Sequence, residues 1–533
     1  MAIRDSRPST EEPLANSFDL RSAGQHAEFL RTRNEYRGLA GSDTQSASTH
    51  LDTLIHHPSP LVLGLTALAS ISGFMFGYDT GYISSVLVTI GSDLDGRELL
   101  VSEKEWITSG TSLGAVVACV FAGYIADLYG RKLVIILCNV LFVVGALLQL
   151  LATRVVTMIA GRLIMGLGVG IGSLIAPLYI SELSPAKFRG RMVIINCLAI
   201  TGGQLVAYAI GAILGGYHGG WRAIVGISML PSTIQLIAFV FLPDTPRYLI
   251  SIGKHKAAHQ VLRKVYLGCP SELIEASIAE IHLLNAAVPG KTELERLKNS
   301  ASQLFSTPSN QRALVIGCGL QAIQQLVGIN SLMYFSGTIF KMVGYTNSTA
   351  VSCFVAGTNF LFTIVAFLIV DKVGKRRMLL VSIPLLMCAQ VLCAVAFLHM
   401  DVKVQQEDLG IWEWTILLGL VLFVAFYAVG LGNVPWQQAE LFPQSVRGMG
   451  TSLATVTNWT GSLVVSACFL SLMQWLSPAG AFFVFAGISL ASWVFIFLVY
   501  PELGSLQLEE VQELLKDGFN VRKSIYIHQH RLM

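Results

Sequence analysis

Charged residues are scarce in this 533-residue chain, since Asp, Glu, Lys and Arg together make up 13% of it. A soluble domain usually carries about 25% charged residues, so the composition excludes a soluble enzyme. A disordered protein is excluded as well, because 53% of the residues are apolar. The net charge of only +3 is too small to indicate a nucleic-acid partner.

Other signatures are missing too. The chain has no G-x-x-x-x-G-K-[ST] phosphate loop, which argues against a pump driven by nucleotide hydrolysis. It has no secreted disulfide framework, because eight of the nine cysteines lie inside apolar runs, where packing is their expected role. No residue is a candidate for enzyme catalysis, and we expect neither a cofactor nor a bound metal.

The chain instead contains a series of apolar runs of about twenty residues, each long enough to cross a bilayer. We predict an all-α membrane protein with twelve transmembrane helices in two six-helix repeats, 61–247 and 313–500. A cytoplasmic helical linker (248–312) separates the repeats, and a polar cytoplasmic tail (501–533) closes the chain. The first 60 residues are polar without a signal-peptide pattern, and we expect a disordered cytoplasmic tail. The predicted spans are 61–85, 106–126, 133–153, 156–179, 192–216, 221–242, 313–340, 349–370, 378–399, 412–436, 449–475 and 479–500.

Basic residues set the predicted orientation. Lys and Arg cluster after spans 2, 4 and 8 and in the linker, whereas the alternate loops are poorer in them. Because the positive-inside rule places such loops in the cytoplasm, we predict cytoplasmic termini in a multi-pass protein of the plasma membrane. Asn347 of the sequon Asn347-Ser348-Thr349 then lies outside and is a candidate for glycosylation.

Three short signatures recur in the same order in both halves. Spans 4 and 10 end in E-x-x-P-x-x-x-R-G, spans 2 and 8 end in an Asp followed by Gly and basic residues, and spans 6 and 12 end in Pro followed by an acid. Three matches in register indicate a duplicated unit, as in transporters whose site lies between two halves. Pairs of acid and Arg at these helix ends can fix the topology, act as a cytoplasmic gate, or do both. The candidate gate residues are Asp127, Arg131, Glu182, Arg189, Asp371, Arg376, Glu440 and Arg447.

Two charges lie inside predicted spans. Asp79 is in span 1 and Arg162 is in span 4. Span 1 rises outward and span 4 descends, so a rise of about 1.5 Å per residue puts both in the outer half of the bilayer, where they can meet. A charge inside the membrane is functional by default, which favours a proton switch over a static pair that only orders the fold.

Asn and Gln side chains lie inside predicted spans 5, 7, 8 and 11, and spans 10 and 11 each contain a tryptophan of interest, Trp436 and Trp459. Amides both donate and accept hydrogen bonds, which suits adjacent hydroxyl groups, and an indole offers an apolar face to a ring. Hydrogen bonding between helices is the alternative role for any single amide. The density of amides in span 7 favours a neutral polyhydroxylated ligand. The candidate substrate-binding residues are Gln204, Gln324, Gln325, Asn330, Asn359, Trp436 and Asn458.

These motifs resemble the sugar porter family of the major facilitator superfamily over nearly the whole chain after the tail. The run 123–132 resembles the superfamily signature, with Leu128 in place of the usual basic residue, and 243–249 resembles the family signature after span 6. The Gln324-Gln325 to Asn330 run resembles the family's main sugar-binding motif. The resemblance implies alternating access, substrate contacts from the amides and Trp436, and proton coupling by an Asp at the position of Asp79.

A narrower resemblance is to fungal myo-inositol/proton symporters. It is carried by Ile200 to Gln204, by Gly432 to Pro443 and by the tail 509–519, while Cys197 stands where hexose porters commonly place Gln. The resemblance implies a secondary active transporter that imports myo-inositol with protons. A transporter of hexoses or other polyols, coupled or not, and a non-transporting nutrient sensor remain the alternatives.

Overall fold

The computed structural model describes residues 51, 54–286, 293–400, 410–443, 445–503 and 508–532. The predicted tail 1–60 therefore lies almost wholly outside the described residues. Within the described ranges, the regular structure is helical throughout.

Six long helices form the first half. The helices of predicted spans 1, 2, 4 and 5 are longer than predicted by four to eight residues, and those of spans 3 and 6 agree with the prediction to within three residues at each end. In chain order they are α1 (Pro60–Thr89), α2 (Val101–Tyr129), α3 (Arg131–Leu150), α4 (Val155–Leu183), α5 (Ala186–Leu214) and α6 (Gly220–Phe241).

The charged linker is helical, as its composition predicts. Its buried side chains pack against the first half at the end of the bundle where α6 ends. We call this end of the bundle the linker end and the opposite end the far end. The linker helices are α7 (Pro246–Ser251), α8 (His255–Val265), α9 (Ser271–Ala286) and α10 (Glu293–Ser306).

The second half repeats the first with two interruptions. Predicted span 7 is broken at Gly328, whose φ of 91° is in the left-handed region that favours glycine. Predicted span 10 ends early, at Val429, and the chain continues as a short 3₁₀ helix, η1. The helices are α11 (Pro308–Leu326), α12 (Ile329–Val343), α13 (Ser348–Val373), α14 (Lys375–His399), α15 (Ile411–Val429), η1 (Val434–Leu441) and α16 (Arg447–Val499).

The last of these helices contains two crossings. α16 has 53 residues, and Ser477 interrupts it with φ 67° and ψ 162°, directly before Pro478. Within the described residues, eleven helical segments are long and apolar enough to cross a membrane, and α16 is one of them. With its two parts counted separately, the predicted all-α architecture of twelve spans is confirmed.

The C-terminal tail is more ordered than its polar composition indicates. It forms α17 (Leu508–Leu514) and α18 (Val521–Leu532), which pack on the linker end of the second half. Gln512 Nε2 donates to Leu441 O of η1 at 2.8 Å, and the Ser524 hydroxyl, which is fully buried, accepts from Glu502 N at 2.9 Å.

The repeated signatures have a shared structural cause. Between α2 and α3, Gly130 turns the chain with φ 88°, and Asp244 Oδ1 accepts hydrogen bonds from the first backbone N–H groups of α3, with Arg131 N at 3.1 Å. Between α13 and α14, Gly374 turns with φ 88° and Glu502 Oε2 accepts from Arg376 N at 3.1 Å. In each half, a carboxylate thus binds the positive N-terminus of the third helix.

Each of these glycines leaves room for the carboxylate. A Cβ at Gly130 would lie 2.2 Å from Asp244 Oδ2, and one at Gly374 would lie 2.8 Å from Glu502 Oε2. Burial raises the pKa of the Asp244 carboxyl above its usual value, and the backbone donors and Arg131 oppose that rise. The capped helix therefore depends on close approach of the acid to a residue without a side chain.

We expect Gly130→Ala to lower the melting temperature and the surface level of the protein, because it adds both a clash and a strained φ. The measurement is thermal unfolding of the detergent-purified protein, followed by the fluorescence of a C-terminal reporter. Gly190→Ala is the matched control, since Gly190 is helical and a Cβ there meets nothing within 4 Å. Equal melting temperatures for the two variants would contradict this account.

Candidate functional site

The two charges predicted to meet in the membrane form an ion pair. Arg162 Nη1 of α4 contacts Asp79 Oδ1 of α1, and both side chains are almost fully buried, at 0% and 1% exposure. Arg162 Nε donates to Ile107 O at 3.0 Å, and Nη1 also donates to the Tyr82 hydroxyl at 3.1 Å. The Tyr82 hydroxyl in turn donates to Gln149 Oε1 at 2.8 Å. Four helices of the first half thus hold the pair in place.

Each partner of the ion pair has one polar atom that makes no hydrogen bond to the described residues. Asp79 Oδ2 and Arg162 Nη2 are buried and have no hydrogen-bond partner among the described residues. Burying a polar atom without a partner costs free energy, so such atoms point to a state in which they are engaged differently. Chemically, Asp79 Oδ2 can accept a proton without first giving up another hydrogen bond.

Three of the predicted amides join in one cluster inside the second half. Asn458 Nδ2 of α16 donates to Gln324 Oε1 at 2.7 Å, and Gln325 Nε2 donates to Asn458 Oδ1 at 3.1 Å. Gln324 Nε2 donates to Leu431 O at 2.8 Å, in the turn that follows α15. The cluster lies where α11 breaks at Gly328, so the break brings unwound backbone and amides together.

The other amides connect the two halves. Asn359 Nδ2 of α13 donates to Gln204 Oε1 of α5 at 2.9 Å. Asn330 Nδ2 donates to the Ser462 hydroxyl at 3.3 Å, and that hydroxyl lies 3.1 Å from the Ser112 hydroxyl of the first half. Three of the seven predicted substrate residues, Gln204, Asn330 and Asn359, therefore lie at the seam between the halves, and three others form the cluster within the second half. The side chain of the seventh, Trp436, lies outside the described residues.

A cavity lies beside this seam, toward the linker end. Its empty volume is about 400 Å³, including space open to solvent, and it is lined by residues of α1, α4 and α5. Trp459 of the second half contacts two of the lining residues: its Nε1 donates to the Ser173 hydroxyl at 3.1 Å, and its ring centroid lies 5.1 Å from that of Phe76. Cys197 and the buried Asn196 face the same space.

Direct contacts between the halves seal the far end. The Ser84 hydroxyl of α1 lies 3.1 Å from the Ser336 hydroxyl of α12 and accepts from Gly337 N at 2.9 Å. Glu105 of α2 is 5% exposed, and its two carboxylate oxygens accept from Ser471 N and the Ser471 hydroxyl of α16, both at 2.7 Å. We call these four contacts the far-end seam.

Three predicted gate residues pair with one another at the linker end of the first half, whereas in the second half Glu440 pairs with Lys375, which was not a candidate. Arg131 Nη2 contacts Asp127 Oδ1 at 2.9 Å and Glu182 Oε1 at 3.1 Å, and Lys375 Nζ contacts Glu440 Oε2. The remaining gate candidates have other surroundings. Arg376 donates to three backbone carbonyls, those of Ile496, Phe497 and Tyr500, and Arg447 Nε donates to Phe442 O at 3.3 Å. Arg189 is exposed, and the side chain of Asp371 lies outside the described residues. The pairs thus hold helices of one half together, and a gating role stays a prediction.

Asn347 is exposed at the start of α13. Its Oδ1 accepts from Ala350 N at 3.1 Å as an N-cap, so the sequon begins at a helix end. Asn458 begins a further sequon, Asn458-Trp459-Thr460, and is 2% exposed inside α16.

Three residues of the site escaped the sequence analysis. Gln321 lies one turn before Gln324 on the same face of α11, and this spacing was a usable signal. Gln438 is within η1, where helix type decides which way a side chain points. Glu105 directly precedes predicted span 2, and so it lies outside the spans in which charges were considered.

Comparison with known proteins agrees with this geometry. The family of sugar (and other) transporters matches residues 65–515. Myo-inositol transporter 1 of Saccharomyces cerevisiae is 52% identical over 473 residues, covering 87% of this chain and 81% of that relative. Myo-inositol transporter 1 of Candida albicans is 46% identical, covering 91% of this chain and 89% of that relative.

Solved structures share the fold. The xylose transporter XylE from E. coli, in a partially occluded inward open conformation, superposes with a TM-score of 0.70 at 23% identity, covering 84% of this chain and 100% of that chain. The proton:xylose symporter XylE bound to 6-bromo-6-deoxy-D-glucose gives a TM-score of 0.71 at 24% identity, covering 85% and 99%. At these identities, the likeness shows the fold alone.

We expect Glu105→Ala to open the far-end seam, because it removes two hydrogen bonds to a charged group, each stronger than a neutral one. The measurement is the labelling of an added Ser336→Cys by a membrane-impermeant thiol reagent. The labelling of the same protein with Ser336 intact is subtracted as background. Labelling should rise with Glu105→Ala and stay unchanged with Glu103→Gln, since Glu103 bonds Arg97 and Leu100 N within its own half. Unchanged labelling in both variants would show that Glu105 does not hold the seam.

Proposed function

The chain belongs to the sugar transporter family, and on that premise we propose that it imports myo-inositol together with protons by alternating access. It is a multi-span membrane transporter and not an enzyme. The observation that carries the choice of substrate is the joined amide cluster of Gln324, Gln325 and Asn458 at the break between α11 and α12.

The chemistry of the cluster suits a cyclic polyol. Each hydroxyl of myo-inositol both donates and accepts, and an amide offers both capabilities within one planar group. The site residues Gln204, Asn330 and Asn359 extend the amides across the seam, and no ionised side chain is among them. A neutral ring with many hydroxyls can therefore exchange its water for amides at little net cost. The relatives named myo-inositol transporters support the same substrate.

Proton coupling is proposed for the Asp79–Arg162 pair. With Asp79 ionised, the pair neutralises two charges in the membrane, where either charge alone is expensive. A proton on Asp79 removes the attraction and leaves Arg162 to its bonds with Ile107 O and Tyr82. Protonation thus changes how α1 is held against α4, which is the kind of local change that biases a two-state equilibrium.

A short path connects this pair to the substrate side. Tyr334 of α12 is buried and lies close to the Asp79–Arg162 pair and to Ser112 and Ser462. Ser462 in turn accepts from the substrate residue Asn330 at 3.3 Å. We propose that a change in the charge of the pair is transmitted to this substrate amide through Tyr334 and Ser462.

The closed far end indicates which state is present. With the far-end seam formed and the cavity on the linker side, the orientation predicted from the basic residues corresponds to an inward-facing state. Outward opening then requires the far-end seam to part and the linker-end helices to close. We assign the linker end and both termini to the cytoplasm, and the protein to the plasma membrane.

The direct test is uptake of labelled myo-inositol at acidic pH in cells that lack their own inositol carrier. Accumulation above the external concentration that a protonophore abolishes supports the proposal. Equilibration unaffected by the protonophore indicates a facilitator. Surface expression without uptake, followed by a test of glucose, distinguishes a hexose transporter from a non-transporting sensor.

We expect Asp79→Asn to abolish accumulation against a gradient while keeping exchange of labelled for unlabelled myo-inositol. Asn keeps the shape and a hydrogen-bond acceptor for Arg162 but cannot carry the proton through the cycle. The measurement is uphill uptake beside counterflow in the same cells, with Asp93→Asn as a control, because Asp93 bonds Trp221 Nε1 outside the pair. Undiminished accumulation by Asp79→Asn would remove Asp79 from the coupling mechanism.

A further inference from the structure

The substrate amides are connected to polar groups that the proposed substrate does not reach. Behind Asn458, on the side of η1, lie Gln321, Gln438 and Thr455, and all three are buried. Each amide has one donating and one accepting end, so its neighbours decide which end faces the site. Following the hydrogen bonds from one residue to the next shows that every orientation is fixed.

The chain of constraints begins at Thr455. Its hydroxyl donates its single hydrogen to Thr451 O at 2.8 Å, so toward Gln438 it can only accept. Gln438 must therefore present its amino end, and Nε2 donates to Thr455 Oγ1 at 3.1 Å and to Thr451 O at 3.4 Å. This turns Gln438 Oε1 toward α11.

The same direction continues through Gln321. Its Nε2 donates to Gln438 Oε1 at 3.0 Å and to Pro435 O at 3.0 Å, and a backbone carbonyl can only accept. Gln321 Oε1 must then accept, and it does so from Asn458 Nδ2 at 2.6 Å.

The result is that one acceptor of the amide cluster stays without a hydrogen-bond partner among the described residues. Asn458 Nδ2 donates to the side-chain oxygens of Gln321 and Gln324. Its Oδ1 therefore faces Gln325 and accepts from Gln325 Nε2 at 3.1 Å. Gln325 Oε1 is left buried, with no hydrogen-bond partner among the described residues. An unpaired buried acceptor is costly, which a bound donor would relieve.

We propose that Thr455, Gln438 and Gln321 are positioning residues that form an amide relay, which fixes Gln325 Oε1 as the acceptor for one hydroxyl hydrogen of the substrate. The inference rests on the proposed function and deepens it. The relay makes the site selective for a ligand that donates at this position. It also explains why η1 carries a buried glutamine, since Gln438 is the member that joins η1 to α11 and α16.

The test is Thr455→Val, which keeps the shape of the side chain and removes the acceptor that orients Gln438. We expect the KM for myo-inositol to rise about three- to tenfold, the range expected for loss of one oriented hydrogen bond, with the maximal uptake rate per surface molecule little changed. Thr455→Ser should restore the KM. Thr460→Val is the matched control, because the Thr460 hydroxyl lies on the same helix, donates to Val456 O at 2.8 Å and is exposed.

Two further measurements separate orientation from simple damage. Gln438→Leu should raise the KM, and adding Thr455→Val to it should raise the KM no further, since both act through one relay. In deoxyfluoro analogues of myo-inositol, fluorine replaces one hydroxyl and cannot donate a hydrogen bond. At one ring position, the ratio of the KM of the analogue to the KM of myo-inositol should be smaller for Thr455→Val than for the wild type.

The outcomes distinguish this inference from the proposed function. Wild-type uptake with the same KM for Thr455→Val and Thr460→Val would overturn the relay and leave the proposed function standing. A loss of maximal rate alone, without a change in KM or in discrimination, would also overturn it. Absence of myo-inositol uptake by the wild type at full surface level would overturn both.

Discussion

A polar group inside a membrane has no water to bond, so its partners must come from the protein itself. The Asp79–Arg162 pair is the strongest case, because both charges are buried and each holds the other in the membrane. Ile107 O and the Tyr82 hydroxyl accept hydrogen bonds from the arginine and hold it in place. The pair is therefore a structural requirement while Asp79 is ionised, and its release on protonation is the switch that we propose.

The same constraint shapes the site and the ends of the bundle. The amides pair with one another and with carbonyls freed by the breaks at Gly328 and after Val429, so irregular backbone occurs where side chains can satisfy it. At the linker end, Asp244 and Glu502 cap equivalent helices behind equivalent glycines. The duplication visible in the sequence is thus a duplication of hydrogen-bonding solutions as well as of helices.

The sequence predicted elements governed by hydropathy and by simple helix geometry. Twelve spans and the meeting of Asp79 with Arg162 followed from apolar run lengths and from the rise per residue. The break at Gly328, the 3₁₀ form of η1 and the Glu105–Ser471 contact did not follow, because each depends on packing between segments distant in the chain. Gln438 could be read in the sequence, but its orientation is set by Thr455 and Gln321, which only the fold brings to it.

The central claim is that inositol and a proton cross together. It is tested most directly with purified protein in proteoliposomes that enclose a pH-sensitive dye, with equal pH inside and outside and the membrane potential held at zero. The account predicts that adding myo-inositol outside acidifies the interior, and that mannitol at equal osmolarity does not. Uptake of labelled myo-inositol without acidification would contradict the account and identify the protein as a uniporter.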